Sequence, residues 1–273
     1  LGAALFIWHQ LLGNERQVQD PDGQTGSLLG PSFSEAEIRT FLDETGAVYR
    51  HIEDEDELDR AIVDLIEQER VVGLLQGRME FGPRALGCRS IIGDARSRDM
   101  QLVMNLKIKF RESFRPFAPI VLRERVSDYF EMEDEADSPY MLLVANVAEG
   151  KRLQVSEDGV KGLDKLKVIR SEVPAITHVD NSARVQTVDP VRHERLHRLM
   201  KRFEERTGCP VMINTSFNVR GEPIVCTPEH AYHCFMGTEM DVLVLENFLL
   251  RKEEQPQRRA PDRDAYLAQF ELD

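Results

Sequence analysis

Short apolar runs alternate with longer amphipathic stretches along most of the chain. VVGLL (71–75), RSIIGD (89–94), APIVL (118–122), YMLLVANV (140–147) and PVMIN (210–214) have the length and aliphatic content of strands. AITHVD (175–180) and ARVQTV (183–188) flank an Asp-Asn-Ser turn and read as a hairpin, and DVLVLENFLL (241–250) reads as one closing strand. Helix starts are marked by Ser34 with Glu37, by Asp54 with Glu57, by Ser97, by Asp189-Pro190 and by Thr227-Pro228. The matching ends fall at Gly46, Arg70, about residue 106, Gly208 and Gly237. Leu58, Ile62, Leu65 and Ile66 give the second of these helices an apolar stripe at helical spacing. Irregular alternation of strands and helices, with a hairpin among them, predicts an α/β domain whose sheet is mixed parallel and antiparallel.

Residues 1–12 are apolar and read as a buried or half-buried helix, and residues 13–33, rich in Gly, Asp, Gln and Pro, read as a linker. The opening stretch has no positive n-region and no small-residue cleavage site, and it starts with Leu. The expectation is a chain cut inside or just before a helix of something larger. The organisation expected is a remnant helix and linker over 1–30, a main domain over 31–252 and a mobile tail with a final turn over 253–273. Residues 148–172 are polar and read as an exposed excursion of unreadable function.

The chain has 273 residues and a net charge of −13, which does not favour general nucleic-acid affinity. The charge is uneven, however. Residues 78–115 hold nine Lys or Arg against four acids, a local +5. A basic island in an acidic protein points to a small anionic ligand. Four scattered cysteines without C-x-x-C argue for a reducing compartment, the cytoplasm, and against structural zinc. No apolar run reaches membrane-spanning length.

Four stretches carry candidate chemistry. GRMEFGPRALGCRS (77–90) is a glycine-rich loop whose backbone N–H groups can cradle an anion, with Arg84 at its centre. KIKFRESFRPFAP (107–119) gathers Lys107, Lys109, Arg111 and Arg115, with Pro116 and Pro119 stiffening the exit and Phe114 and Phe117 expected to pack the loop. NTSFNVRGEPIV (214–225) follows a strand with the amides of Asn214 and Asn218 and the hydroxyls of Thr215 and Ser216, suited to phosphates or a metal's water shell, or to a plain polar turn. HERLH (193–197) matches the zincin pattern, but Leu196, Leu199, Met200 and Phe203 explain it as an amphipathic packing helix.

In order, GRMEFGPRALGCRS, NLKIKFRESFRPFAP, THVDNSARVQTV and PVMINTSFNVRGEPIV resemble the C-terminal half of the O-carbamoyltransferases of nodulation-factor and antibiotic biosynthesis, over roughly residues 30–250. Residues 1–12 look like the last helix of that family's N-terminal, sugar-kinase-like domain. The resemblance implies a YrdC-like fold with a twisted mixed sheet. It implies formation of carbamoyl-adenylate from carbamoyl phosphate and ATP with Mg²⁺, and transfer to a hydroxyl acceptor by the N-terminal domain. By the same match Arg84, Lys109, Arg115 and Arg184 would bind carbamoyl phosphate and the nucleotide phosphates, Lys109 and Arg115 as catalytic cations. Asn214, Thr215, Ser216 and Asn218 would hold the nucleotide, its metal or the carbamoyl group. No protein metal site is implied, and Cys88 is given no role. Three rivals stay open: a threonylcarbamoyl-adenylate-forming enzyme, a nucleotide- or anion-binding module inactive in isolation, and a zinc protease built on HERLH.

Overall fold

The computed structural model of the chain describes residues 1–20, 22–154, 162, 165, 168–256 and 263–270. Among these, nine strands form one sheet: β1 (Arg50–His51), β2 (Val72–Leu75), β3 (Arg89–Asp94), β4 (Ala118–Leu122), β5 (Leu143–Asn146), β6 (Ser182–Val188), β7 (Val211–Ser216), β8 (Val242–Leu245) and β9 (Phe248–Arg251). Their order is β1-β9-β8-β2-β3-β7-β4-β6-β5. β2 runs parallel to β8 and β4 to β6, and the remaining pairs are antiparallel. The sheet is therefore mixed, as the sequence pattern predicts. Its central strands are buried along their length, which is why β2 reads as a continuous apolar run and not as alternation, while β3 buries Arg89, Ser90 and Asp94 as well as its isoleucines.

Helix α2 (Glu35–Thr45) opens with the expected capping box between Ser34 and Glu37 and ends at Gly46, whose φ of 61° is left-handed. Helix α3 (Glu55–Glu67) is capped by Asp54 and buries Leu58, Ile62, Leu65 and Ile66. Helix α6 (Pro190–Thr207), capped by Asp189, lies against α3 and buries Leu196, Leu199, Met200 and Phe203. Each such side chain contributes about 1.5–3 kcal/mol on burial. Across the same contact Arg198 pairs with Asp59 (2.6 Å) and Arg206 with Glu67 (3.0 Å). Helix α7 (Pro228–Gly237) is buried along most of its length. Helix α4 (Met100–Met104) starts at Asp99 without a side-chain cap, so Ser97 is not the cap, and it runs on into a π-helical turn, Asn105–Lys109.

The hairpin, the closing strand and the first helix also differ from the sequence expectation. Residues 175–180 are no strand: Pro174–Ile176 is a 3₁₀ turn, and the Asp180 carboxylate accepts from Ser182 N–H and Oγ–H in a turn that launches β6. The antiparallel partner of β6 is β5, with Val144 opposite Arg184. The closing run 241–250 is two strands, because Glu246 (φ 48°) and Asn247 make a two-residue hairpin turn. Arg195 clamps that turn by donating to the Glu246 carboxylate (2.6 Å), the Glu246 carbonyl (2.7 Å) and the Asn247 side chain (3.1 Å). Residues 1–12 are exposed, Trp8 by 52%, and not half-buried: a short α-helix, α1 (Gly2–Phe6), leads into a π-helical turn.

The stretch read as a linker is fastened to the domain from Asp22 onward. Asp22 accepts from Arg192 (2.9 Å) and Tyr140 (2.7 Å), and Gly30 and Pro31 pair backbone to backbone with Met79. Beyond β9, a short helix (Arg263–Leu267) brings Tyr266 into the core against Gly237. The middle of the 148–172 excursion and parts of the 253–273 tail lie outside the described residues.

Candidate functional site

The glycine-rich loop is folded around one of its own side chains. The Glu80 carboxylate is buried and accepts from the backbone N–H groups of Leu86 (2.7 Å), Cys88 (2.5 Å) and Arg89 (3.3 Å). The sequence pointed to a backbone nest for an external anion, but these N–H groups already hold an internal one. Gly87 makes the turn work: its φ is 121°, and a Cβ there would come within 2.4 Å of Leu196. What remains for a ligand is the tip of the loop, where Arg84 is exposed. Arg89 is fully buried, and its guanidinium donates to the carbonyls of Pro31, Gln76, Gly77, Cys88 and Cys226. It knits four segments together.

The basic stretch sends its cations in different directions. Phe110 at φ 48° ends the π-helical turn, so residues on either side of it diverge. Lys109 turns inward. Its ammonium is buried, donating to the Ser216 carbonyl, to Ser216 Oγ (3.3 Å) and to Asn218 O and Oδ1 (both 2.8 Å). Burial, reinforced by Arg111, pulls its pKa down to about 7. Arg111 turns toward the sheet, lies 4.8 Å from the centre of the Phe117 ring and donates from Nε to Asn105 Oδ1 (2.6 Å). Its pKa is lowered to about 10, by burial first and by Arg115 second. Asn105 also donates to the carbonyls of Ser113 (3.1 Å) and Arg115 (2.8 Å), which fixes the loop. Arg115 itself is half exposed and pairs with Glu112 at 3.3 Å. Phe117 packs into the core as expected, while Phe114 stays half exposed.

At the end of β7, Ser216 Oγ donates to Asn218 Oδ1 (2.7 Å), and Asn218 Nδ2 donates to the Glu222 carbonyl (2.6 Å). Glu222 accepts from Val219 N–H (2.8 Å) and, on its other oxygen, from the Tyr266 hydroxyl (2.8 Å). A chain of hydrogen bonds thus links the C-terminal helix to the strand end.

These loops enclose a cavity of about 140 Å³, lined among others by Arg84, Arg111, Arg184, Asn214, Thr215 and Ser216, and by no acidic residue. The structure therefore brings five of the sequence candidates together and adds Arg111. Lys109 and Asn218 stand one layer behind, and Arg115 does not line the cavity. Arg111 lay within the four-cation stretch, but spacing alone could not tell which of the four would face a ligand. The cavity is electrostatically incomplete. Arg184 is lowered in pKa by burial and by Arg84 nearby, and its Nε has no partner. Asn214 Oδ1 is likewise a buried atom without a partner. A larger depression, about 260 Å³, lies by Arg70, Asp241 and Arg251, but there Arg70 and Asp241 satisfy each other at 2.9 Å.

The HERLH histidines do not converge. His193 has non-helical backbone angles (φ −149°, ψ 66°), is partly buried and sits 3.2 Å from Cys88 Sγ, while His197 pairs with Glu124 at 3.0 Å. Among the described residues no three His, Cys, Asp or Glu side chains are grouped as a metal site, and no helix is long and apolar enough to cross a membrane.

Fold and site together define an α/β domain with a small, arginine-lined cavity. Residues 63–252 match the family described as the carbamoyltransferase C-terminus, and the chain belongs to that family. It is 57% identical to the Synechocystis sp. protein sll1178 over 277 residues, which is all of this chain and 44% of that protein. It is 36% identical to the nodulation protein NolO of Bradyrhizobium diazoefficiens over 92% of this chain and 42% of NolO. The 3'-hydroxymethylcephem-O-carbamoyltransferase of Streptomyces clavuligerus is 36% identical over 60% of this chain and 27% of that enzyme. The chain thus spans less than half the length of these relatives. Full-length HypF in its phosphate- and nucleotide-bound form aligns over 70% of this chain and 25% of its own, with 16% identity and a TM-score of 0.45.

Proposed function

We propose that this chain binds carbamoyl phosphate in the arginine-lined cavity and, with ATP, forms carbamoyl-adenylate within a longer carbamoyltransferase. The observation that carries the reading is the convergence of Arg84, Arg111 and Arg184 on one small cavity without a carboxylate. Like charges held together in a partly buried space cost energy until an anion arrives, and guanidinium pairs suit the phosphate oxygens. About 140 Å³ fits a phosphate with a small planar substituent and falls short of the 300 Å³ or more typical of drug-sized ligands. The adenosine of ATP therefore lies outside it.

In this reading the phosphate of carbamoyl phosphate leaves as its C–O bond is cleaved by water. The carbamate oxygen then attacks the α-phosphorus of ATP, and pyrophosphate departs with the electron pair of the broken P–O bond. An acceptor hydroxyl next attacks the carbamoyl carbon and AMP leaves, a step assigned to the sugar-kinase-like part of the whole protein. Positioning and charge neutralisation are what the arginines contribute. The cavity offers the hydroxyls of Thr215 and Ser216 to the water shell of Mg²⁺ that enters as the complex of ATP. Lys109, saturated by four oxygens, and Arg115, paired outside, support the cavity from behind and beside it.

The test is pyrophosphate release from ATP and Mg²⁺, with and without carbamoyl phosphate. Release that depends on carbamoyl phosphate, reduced 10- to 100-fold by Arg184→Ala or Arg111→Ala and within 3-fold of wild type in Arg115→Ala, is expected if each charge-assisted bond contributes about 1.5–3 kcal/mol. Equal loss in the Arg115 variant would return the phosphate to the outer loop. Absence of both release and phosphate binding would remove the reading.

A further inference from the structure

Asn214 sits on β7 between two strands, opposite Ile92 of β3 and Ala118 of β4, so its backbone is fixed by the sheet. Its side-chain amide is held one way round. Nδ2 donates to the Ala85 carbonyl (3.1 Å) and to Gln186 Oε1 (2.8 Å). Gln186 is fixed in turn, because its own Nε2 donates to the Leu86 carbonyl (2.8 Å). A flipped Asn214 would set Oδ1 against two acceptor oxygens. Both amide hydrogens are thus spent, and the unpartnered Oδ1 of a residue only 1% exposed is what Asn214 has left to offer. A buried acceptor is satisfied only by a donor, and phosphate oxygens at neutral pH are mostly acceptors. The arginines that line the same cavity offer only donors. A ligand that carries both an anionic group and an N–H matches both the arginines and this acceptor.

We infer that Asn214 Oδ1 accepts from the amino group of carbamoyl phosphate and so selects carbamoyl over acyl phosphates. The inference rests on the reading of the cavity given above and adds the residue that distinguishes its ligand. Acetyl phosphate has the same size and charge but a methyl group where the N–H would be, and it leaves Oδ1 unpaired. Sites that hydrogen-bond a substrate N–H discriminate strongly against analogues lacking it.

The experiment measures dissociation constants of carbamoyl phosphate, acetyl phosphate and inorganic phosphate by calorimetry, for the chain as it stands and for Asn214→Ala and Asn214→Val, the second being shaped for a central strand. The expected result is at least 10-fold preference for carbamoyl over acetyl phosphate. In either variant that preference falls below 3-fold while inorganic phosphate binds within 3-fold of before. A wild-type preference below 3-fold, or an undiminished preference in the variants, overturns the inference while leaving the anion cavity standing. Loss of inorganic phosphate in both variants also overturns it, since Asn214 would then be holding the cavity open and not reading the ligand. No binding of any of the three by the wild-type chain refutes the reading of the cavity itself.

Discussion

Glu80→Gln isolates the charge at the centre of the glycine-rich loop. The carboxylate takes two short bonds, 2.7 and 2.5 Å, from Leu86 and Cys88, and a longer one, 3.3 Å, from Arg89. Glutamine keeps the size and one acceptor but removes the charge. Charge-assisted bonds are roughly twice as strong as neutral ones, so each short bond loses about 1 kcal/mol and the pair about 2 kcal/mol. The assay is urea unfolding, in which a lower midpoint at unchanged m reports the loss. Glu80→Ala, which leaves the three N–H groups without a partner, should cost more, about 3–5 kcal/mol. Because this loop carries Arg84, phosphate should also bind more weakly in Glu80→Gln. A change below about 0.5 kcal/mol with phosphate affinity intact would refute the idea that the loop is folded on its own carboxylate.

Two further predictions concern buried groups. Burial, with the charge of Arg195 next, pulls the His193 pKa from 6.5 to about 4, so the folded chain keeps it neutral where the unfolded chain protonates it. Its contribution is complete above pH 6.5 and is lost as pH falls toward 4; between pH 7 and 4.5, wild type should lose about 2–3 kcal/mol more than His193→Gln in denaturant titrations. Equal pH profiles would show that His193 is not the group responsible. Tyr266→Phe removes the 2.8 Å bond to Glu222 without changing the packing over Gly237. It should weaken phosphate binding several-fold, through Glu222, Asn218 and Ser216, with a stability loss of only about 1–2 kcal/mol; unchanged affinity would confine Tyr266 to packing.

Much of the fold was written in local signals. Capping residues at Ser34, Asp54, Asp189 and Thr227 start helices where the structure has them. The strands that failed did so where two conformations share one composition. Ala175 and Ile176 are apolar enough for a strand, but Pro174 withholds a backbone donor and the turn at Asp180 follows too closely. In the closing run, nothing local announces that Glu246 will take a positive φ; the reason is distant, in the grip of Arg195 from α6. The site shows the same division. Sequence order picked out the loops, and Arg84, Arg184, Asn214, Thr215 and Ser216 do meet. Which cation of Lys109, Arg111 and Arg115 faces the cavity depended on a left-handed residue, Phe110, and on the amide of Asn105, both settled by tertiary contacts.

Lys109 has one more consequence. Four oxygens from Ser216 and Asn218 surround its ammonium much as a coordination shell surrounds a bound potassium or sodium ion. The chain carries this amine on a covalent tether, delivered by the π-helical turn to the end of a strand more than a hundred residues away in sequence. The loop beside the arginine-lined cavity is therefore organised without drawing on the ionic composition of its surroundings. Neither chelators nor a swap of one monovalent salt for another should dismantle it, whereas acetylation of this single amine would remove its central donor.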